Sequence, residues 1–162
     1  PNVYAELLPG EENSGKLVAM LRNEARVIAE KNGIPLDVID GPPGIGCPVI
    51  SSMTGTHMAV VVTEPTISGL HDLERIIELA HFLKCKTGVI VNKSDINPDY
   101  CKQIEEYCTT KDITFLGAIP YDPNITEAQI QATTILDIAS DSQASVVIRT
   151  IHKKLLKILE EL

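Results

Sequence analysis

Short apolar runs rich in β-branched residues alternate along the chain with longer stretches whose apolar residues recur at helical spacing. The short runs predict strands at Asn2–Leu8, Leu36–Asp40, Met58–Thr63, Thr87–Asn92 and Phe115–Pro120. The longer stretches predict helices at Lys16–Asn32, Gly69–Leu83, Pro98–Thr110 and Ala144–Leu162. This alternation is typical of α/β folds with a mostly parallel sheet and helices on its faces. The sequence therefore predicts one α/β domain.

Single residues mark the predicted ends of these helices. Gly33 is suited to end the first helix, Ser68 to cap the second and Pro98 to open the third. The stretch after Pro120 is polar and contains proline, so it is predicted to be a loop.

Composition narrows the possible partners and the compartment. A net charge of −8 over 162 residues argues against nucleic acid as the main partner, because phosphate backbones need a basic surface. No apolar run approaches the roughly 20 residues that a membrane span requires. Four cysteines without an export signal indicate a reducing, cytoplasmic setting. The chain begins at Pro1 rather than Met, and we expect it to be a piece of a longer protein.

The strongest candidate for chemistry is a Gly/Pro-rich loop that follows a carboxylate. Asp40 ends a predicted strand, and Gly41, Pro42, Pro43 and Gly44 come directly after it. Folds that process phosphates place an acidic residue at the carboxyl edge of a parallel strand, where it holds Mg²⁺ through water. The alternative is an ordinary tight loop.

The next two strand ends carry further candidates. Asn92, Lys93 and Asp95 follow a clean apolar strand, and Asn92 can pair with a purine edge because its amide both donates and accepts. The pattern N-K-x-D on its own would suggest guanine. Pro120–Asp122 stands at the end of the following strand, where backbone groups could frame a base, although a simple turn explains it equally well.

A partial phosphate-binding motif near the start of the chain is less convincing. Gly10–Lys16 fits G-x-x-x-x-G-K, but Leu17 stands where the motif requires Ser or Thr. Glu11 and Glu12 would repel a phosphate. A solvated loop before a helix is the preferred interpretation, with Lys16 as a possible cation for a partner or a second nucleotide.

The cysteines differ in their expected roles. Cys101 and Cys108 lie two helical turns apart on an apolar helix face, too far for a disulfide. Cys47 belongs to the Gly-rich loop and is either an exposed thiol facing a second copy or a half-buried small hydrophobe.

Taken together, these motifs resemble the C-terminal half of the MinD/Mrp/nitrogenase-iron-protein class of deviant P-loop ATPases. The branch is the one with an inserted ferredoxin domain, whose members are often labelled cobyrinic acid a,c-diamide synthase. The resemblance extends over nearly the whole chain, through Pro9–Val18, Ile39–Ile50, Val62–Arg75, Val91–Asp95 and Ile119–Asp122.

The resemblance implies specific roles. Asp40 would be the switch II carboxylate that acts on Mg²⁺ and the attacking water, and Asn92 would read adenine, which overrides the suggestion of guanine. Pro120–Asp122 would lie near the base. Cys47 matches the spacing of a cluster-ligating cysteine in the nitrogenase iron protein, whereas Asn13 stands at the position of that protein's second cluster cysteine.

The family fold also implies what lies outside the chain. The P-loop and a ferredoxin insert with [4Fe–4S] clusters would precede Pro1, so residues 1–162 would be the C-terminal portion of a single ATPase domain without its P-loop strand. The intact protein would bind Mg-ATP, form a homodimer and couple hydrolysis to iron–sulfur or electron-transfer chemistry with a redox partner. The chain by itself is expected to lack hydrolysis.

Two other functions remain open. One is an ATP-dependent amide ligase of the cobyrinic acid a,c-diamide synthase type, which should carry an amidotransferase domain after this region. The other is a non-catalytic interaction module whose acidic surface binds a redox partner.

The expected gap in the sheet leads to a prediction about assembly. In the family fold the P-loop strand lies between Leu36–Asp40 and Met58–Thr63. Unpaired edges recruit other strands. We therefore expect these two segments either to pair with each other or to drive dimer formation by strand exchange.

Overall fold

The computed structural model describes residues 1–5 and 14–161. Within them the chain forms a three-stranded parallel sheet in the order β1-β2-β3, with β2 in the centre. The strands are β1 (Met58–Thr63), β2 (Lys86–Asn92) and β3 (Thr114–Ile119). The helices are α1 (Ser14–Asn32), α2 (Cys47–Met53), α3 (Ile67–Phe82), α4 (Pro98–Thr110), α5 (Pro123–Ile130), α6 (Ile135–Ile138) and α7 (Gln143–Glu160). The predicted α/β class, a parallel sheet with flanking helices, is confirmed.

The position of β2 in the centre of the sheet explains why its sequence is continuously apolar. Val89 and Val91 point to one face of the sheet, where they pack with Leu73 of α3 and with Ile104 of α4. Ile90 points to the other face, where it meets α7. Because successive side chains of a strand alternate between faces, a strand covered on both sides needs apolar residues throughout.

Several predicted boundaries are close to those observed. Helix α4 has the predicted bounds, and α7 begins one residue before the predicted Ala144. Helix α3 begins at Ile67, and Thr66 rather than Ser68 caps it by accepting a hydrogen bond from the Gly69 backbone N–H. Thr66 is favoured because its extended backbone directs the hydroxyl toward the N–H of the third helical residue.

Three predictions about local structure are wrong. Leu36–Asp40 is not a strand: it forms no regular element and no ladder pairing, and Val38 is 81% exposed. Cys47 opens helix α2 rather than lying in a loop, and the stretch after Pro120 contains α5 and α6. A strand needs a neighbour to pair its backbone, and for Leu36–Asp40 the described residues provide none.

The prediction that Leu36–Asp40 would pair with β1 is therefore also wrong, because β1 pairs only with β2 among the described residues. The dimer alternative stays a prediction. Of the predicted strand Asn2–Leu8, residues 2–5 form no regular element and the remainder lies outside the described residues. The partial motif Gly10–Lys16 is described only from Ser14, where α1 begins.

Within the part of the chain that the structure describes, no helix is long and apolar enough to cross a membrane.

Candidate functional site

A cavity of about 1120 Å³ lies between segment 36–45 and strand β1. Along one wall lie Asp40 and Gly41–Gly44, and along the other lie β1, Glu64 and Asn92. Leu155 and Leu159 of α7 contribute to its lining. The cavity therefore brings together the predicted Mg²⁺-side loop and the predicted base-reading asparagine.

The wall formed by β1 is an edge of the sheet, because among the described residues β1 pairs with β2 alone. Val60 and Val62 line the cavity and are 39% and 60% exposed. The opposite wall is the irregular segment 36–40, which leads into the Gly/Pro loop. Neither wall has a strand paired to it on the cavity side within the described residues, and an open sheet edge of this kind accepts a further strand.

The loop after Asp40 is tied to α2. A Cβ at Gly41 would lie 3.5 Å from the Ser52 hydroxyl oxygen, so the loop runs directly over this helix. Gly44 has φ of +87°, a left-handed conformation that favours glycine. The loop thus reaches α2 by a turn that a residue with a side chain would strain. Asp40 is exposed to the cavity at the start of this loop.

Asn92 lies at the end of β2, half-buried. Its side-chain Oδ1 accepts a hydrogen bond from the Lys93 backbone N–H at 3.0 Å. This bond holds the amide oxygen against the backbone at the carboxyl end of β2. Among the described residues no group accepts from its two N–H donors, which could therefore serve a ligand.

The other predicted base-side residues lie outside the lining of this cavity, as far as the described residues show. Lys93 forms an ion pair with Glu64, with 2.6 Å between Nζ and Oε1. Asp95 Oδ1 accepts from the Tyr121 backbone N–H at 2.6 Å. These contacts join the loops that follow the three strands.

Asp122 has a structural role at the start of helix α5. It caps α5, accepting from the Asn124 backbone N–H at 2.9 Å. That hydrogen bond, with a further one from the Ser142 hydroxyl, lowers the pKa of the Asp122 carboxyl. Pro123 fits the first turn of the helix. The proximity of Pro120–Asp122 to a base stays a prediction.

Glu64 and Arg22 are site residues that the sequence reasoning did not single out. Glu64 lines the cavity and holds Lys93. Arg22, on α1, donates from Nη1 to the carbonyl oxygens of Ser51 and Thr54, each at 2.6 Å. It thereby ties α1 to the C-terminal end of α2. For Glu64, the sequence signal was a carboxylate directly after a strand; for Arg22 there was none, because its partners are 29 and 32 residues away.

Lys16 and Cys47 belong to two helices that begin side by side. A Cβ at Gly15 would lie 3.2 Å from the Cys47 Cβ, so the N-terminal turns of α1 and α2 touch there. Lys16 is exposed. Cys47 is an exposed free thiol, as one of the two sequence interpretations expected.

We predict that Cys47 reacts with a thiol reagent well before Cys101 and Cys108. Burial raises the pKa of the Cys108 thiol to about 11, and burial, followed by the charge of Glu105, raises that of Cys101. The reactive species is the thiolate, so the raised pKa lowers the reactive fraction of Cys108. Because a more basic thiolate is also a better nucleophile, we expect the net slowing to be about 10-fold relative to an ordinary thiol. Labelling of native protein followed by peptide mass spectrometry measures the order, with urea-unfolded protein as the control. Equal, slow modification of all four cysteines would contradict it.

The donor chemistry at Asp40 suits Mg²⁺. This ion prefers oxygen ligands and is usually bound through one or two carboxylates, several waters and the phosphates of a nucleotide. Asp40 offers one exposed carboxylate at a cavity wide enough for a nucleotide. Nowhere in the described residues do three His, Cys, Asp or Glu side chains come together as a possible metal site.

A parallel α/β sheet with candidate ligand-binding residues at the carboxyl ends of its strands is typical of α/β folds that bind nucleotides. The chain belongs to the ParA family: the family model described as NUBPL iron-transfer P-loop NTPase matches residues 30–156. The resemblance to the MinD/Mrp class of P-loop ATPases is thereby confirmed.

Individual relatives agree with this assignment. The chain is 32% identical over 156 residues to the uncharacterized protein MJ0578 of Methanocaldococcus jannaschii, covering 96% of this chain and 50% of that protein. It is 28% identical over 120 residues to the uncharacterized ATP-binding protein MJ0547 of the same organism, covering 74% of this chain and 45% of that protein. The chain thus spans about half the length of the curated relatives it matches.

Solved structures show the same fold. The septum site-determining protein MinD of Pyrococcus horikoshii, complexed with Mg-ADP, superimposes with a TM-score of 0.71 at 19% identity, over 90% of this chain and 58% of that one. The MinD cell division protein of Aquifex aeolicus gives 0.70 at 22% identity, over 86% and 61%.

Proposed function

We propose that this chain provides the switch and base side of an ATP site in a MinD-like ATPase. The observation that supports this most directly is the single cavity lined by both Asp40–Gly44 and Asn92. The similarity to a protein named as ATP-binding and to a MinD solved with Mg-ADP supports the choice of ligand.

We further propose that the chain is the C-terminal portion of one ATPase domain, completed by a strand and phosphate loop from the rest of the intact protein. Among the described residues, β1 has no strand on its cavity side, and segment 36–40 lines the same cavity. A strand between them would place its carboxyl end beside Asp40 and Gly41–Gly44. The chain's half-length match to its relatives is consistent with this.

In this proposal each group has one task. The Asp40 carboxylate orients the attacking water, and the backbone N–H groups of Gly41 and Gly44 approach the γ-phosphate. Asn92 recognises adenine by donating and accepting together. Bound Mg²⁺ would neutralise charge on the β- and γ-phosphates.

For the intact protein, we propose that hydrolysis is coupled to iron–sulfur or electron-transfer chemistry. The description of the matching family as iron-transfer NTPases supports this. We also propose a homodimer that meets through the loop that begins at Gly41 and the start of helix α2 at Cys47. The exposure of that loop and of the Cys47 thiol leaves the surface accessible to a second copy.

The proposal predicts that Asn92→Ala weakens ATP binding by the intact protein about 10-fold, the loss expected for one two-point contact to a base. Titration calorimetry with Mg-ATP measures the dissociation constant. Gln103→Ala is the matched control because it removes an exposed amide from α4, outside the cavity. Affinities that are the same in Asn92→Ala and in the unsubstituted protein would show that Asn92 does not read the base. If the unsubstituted protein fails to bind ATP at millimolar concentration, the proposed function is wrong.

A further inference from the structure

The acidic residue of the N-K-S-D pattern has no task in the proposed site, yet it makes a defined contact. Asp95 Oδ1 accepts a hydrogen bond from the Tyr121 backbone N–H, 26 residues later, at 2.6 Å. Beside it, the Ser94 backbone N–H donates to the Ile119 carbonyl oxygen at 2.9 Å. These two bonds, which we name the loop clasp, hold the loop after β2 against the end of β3.

The loop clasp limits how the Asp95 carboxylate can bind a nucleotide base. A carboxylate recognises guanine by accepting from the ring N–H with one oxygen and from the exocyclic amine with the other. In this chain one oxygen of Asp95 is directed at the protein backbone, so the backbone sets the plane of the carboxylate. Asp95 also lies outside the lining of the cavity that Asn92 lines, as far as the described residues show.

The Asn92 side chain is held by one hydrogen bond and can still bind a nucleotide base. The Lys93 N–H occupies one lone pair of the Asn92 Oδ1, and the second lone pair and both amide N–H groups remain. An amide with one free acceptor and a free donor is the group that pairs two-fold with adenine. The two side chains of the same motif are therefore oriented for different tasks.

We infer that Asp95 is a positioning residue: its carboxylate closes the loop clasp and thereby leaves Asn92 as the side chain that reads the base, in favour of adenine over guanine. This inference rests on the proposed function, since it concerns which nucleotide that site selects. The clasp itself is a property of the chain with or without nucleotide.

Two substitutions of Asp95 distinguish a role in the loop clasp from direct recognition of the base. Asp95→Asn keeps a side-chain oxygen that can accept from the Tyr121 N–H, whereas Asp95→Ala removes it. In the intact protein we expect Asp95→Asn to retain both the ATP affinity and the ratio of ATP to GTP affinity. Asp95→Ala should weaken ATP binding about 5-fold, the effect of losing one hydrogen bond. The matched pair Asp99→Asn and Asp99→Ala, on the first turn of α4, should change neither.

A second measurement needs no nucleotide. Amide exchange of the 162-residue chain by NMR should show the Tyr121 N–H exchanging about 5-fold faster in Asp95→Ala and unchanged in Asp95→Asn. Exchange of the Val89 amide, in the core strand, reports that each variant is folded.

The outcomes distinguish the two proposals. Equal Tyr121 exchange in Asp95→Ala and in the unsubstituted chain would overturn the clasp. Tighter binding of GTP than ATP, lost in Asp95→Asn, would show that Asp95 reads guanine and overturn the inference. If the intact protein binds neither nucleotide, the proposed function and the base selection fail together, and Tyr121 exchange still decides whether the clasp exists.

Discussion

Replacing Asp40 by Asn is expected to lower ATP hydrolysis by the intact protein at least about 100-fold, the usual contribution of a group that accepts or orients the attacking water's proton. Asn preserves the shape of the side chain but removes its negative charge, so it can neither attract that proton nor hold Mg²⁺ through water. ATP affinity should change much less, because adenine and phosphate contacts come from other residues. Phosphate release measures turnover, and calorimetry measures binding.

Asp99→Asn is the control for this experiment, because it makes the same charge change at an exposed position of α4. The 162-residue chain by itself is a second control and is expected to show no hydrolysis. Turnover by Asp40→Asn within a few-fold of the unsubstituted protein would show that Asp40 does not act on the attacking water. Turnover by the chain alone at the rate of the intact protein would show that its site is already complete.

The central layers of the fold could be predicted because the signals for them are local. Strand β2 is apolar on both faces, and helix α4 has Asn97 as its cap and Pro98 in its first turn. These features act over a few residues, so their boundaries follow from the sequence. The covering helices α3 and α7 follow from apolar periodicity in the same way.

Elements at the cavity could not be predicted as reliably, because their state depends on distant neighbours. Leu36–Asp40 has the composition of a buried strand, but a strand forms only where another strand pairs with it. The beginning of α2 was missed because Gly44 and Gly46 indicated a continuing loop, although Pro48 is favourable in a first helical turn. For α5, Asp122 followed by Pro123 was a capping signal that the turn interpretation overlooked.

The positions of the candidate residues at the ends of the strands could be predicted, but their contacts could not. Carboxyl ends of parallel strands share one edge, so Asn92 and Asp95 were expected at the same edge as Asp40. The pairing of Lys93 with Glu64 and of Asp95 with Tyr121 depends on which rotamers the folded loops allow. Both the Lys93 and the Glu64 side chain are more than a third exposed, so this ion pair contributes to loop geometry more than to stability.

A glycine in the first turn of α3 should be the position at which one methyl group has the largest effect on stability. A Cβ at Gly69 would lie 2.2 Å from the carbonyl oxygen of Glu64 and 2.9 Å from the Thr63 hydroxyl oxygen. The first of these atoms belongs to the backbone, so the contact cannot be relieved by rotating a side chain. Gly69→Ala must move either the end of β1 or the start of α3.

We therefore predict that Gly69→Ala lowers the free energy of unfolding by about 3 kcal/mol, at the upper end of the usual effect of overpacking. Urea unfolding followed by circular dichroism measures it. Gly46→Ala is the matched control, because its Cβ would have only an ordinary contact of 3.6 Å with Pro48. It should change stability by less than about 1 kcal/mol. A Gly69→Ala variant as stable as Gly46→Ala would mean that the chain turns between β1 and α3 along a different path, and that the Glu64 carboxylate does not lie where it pairs with Lys93.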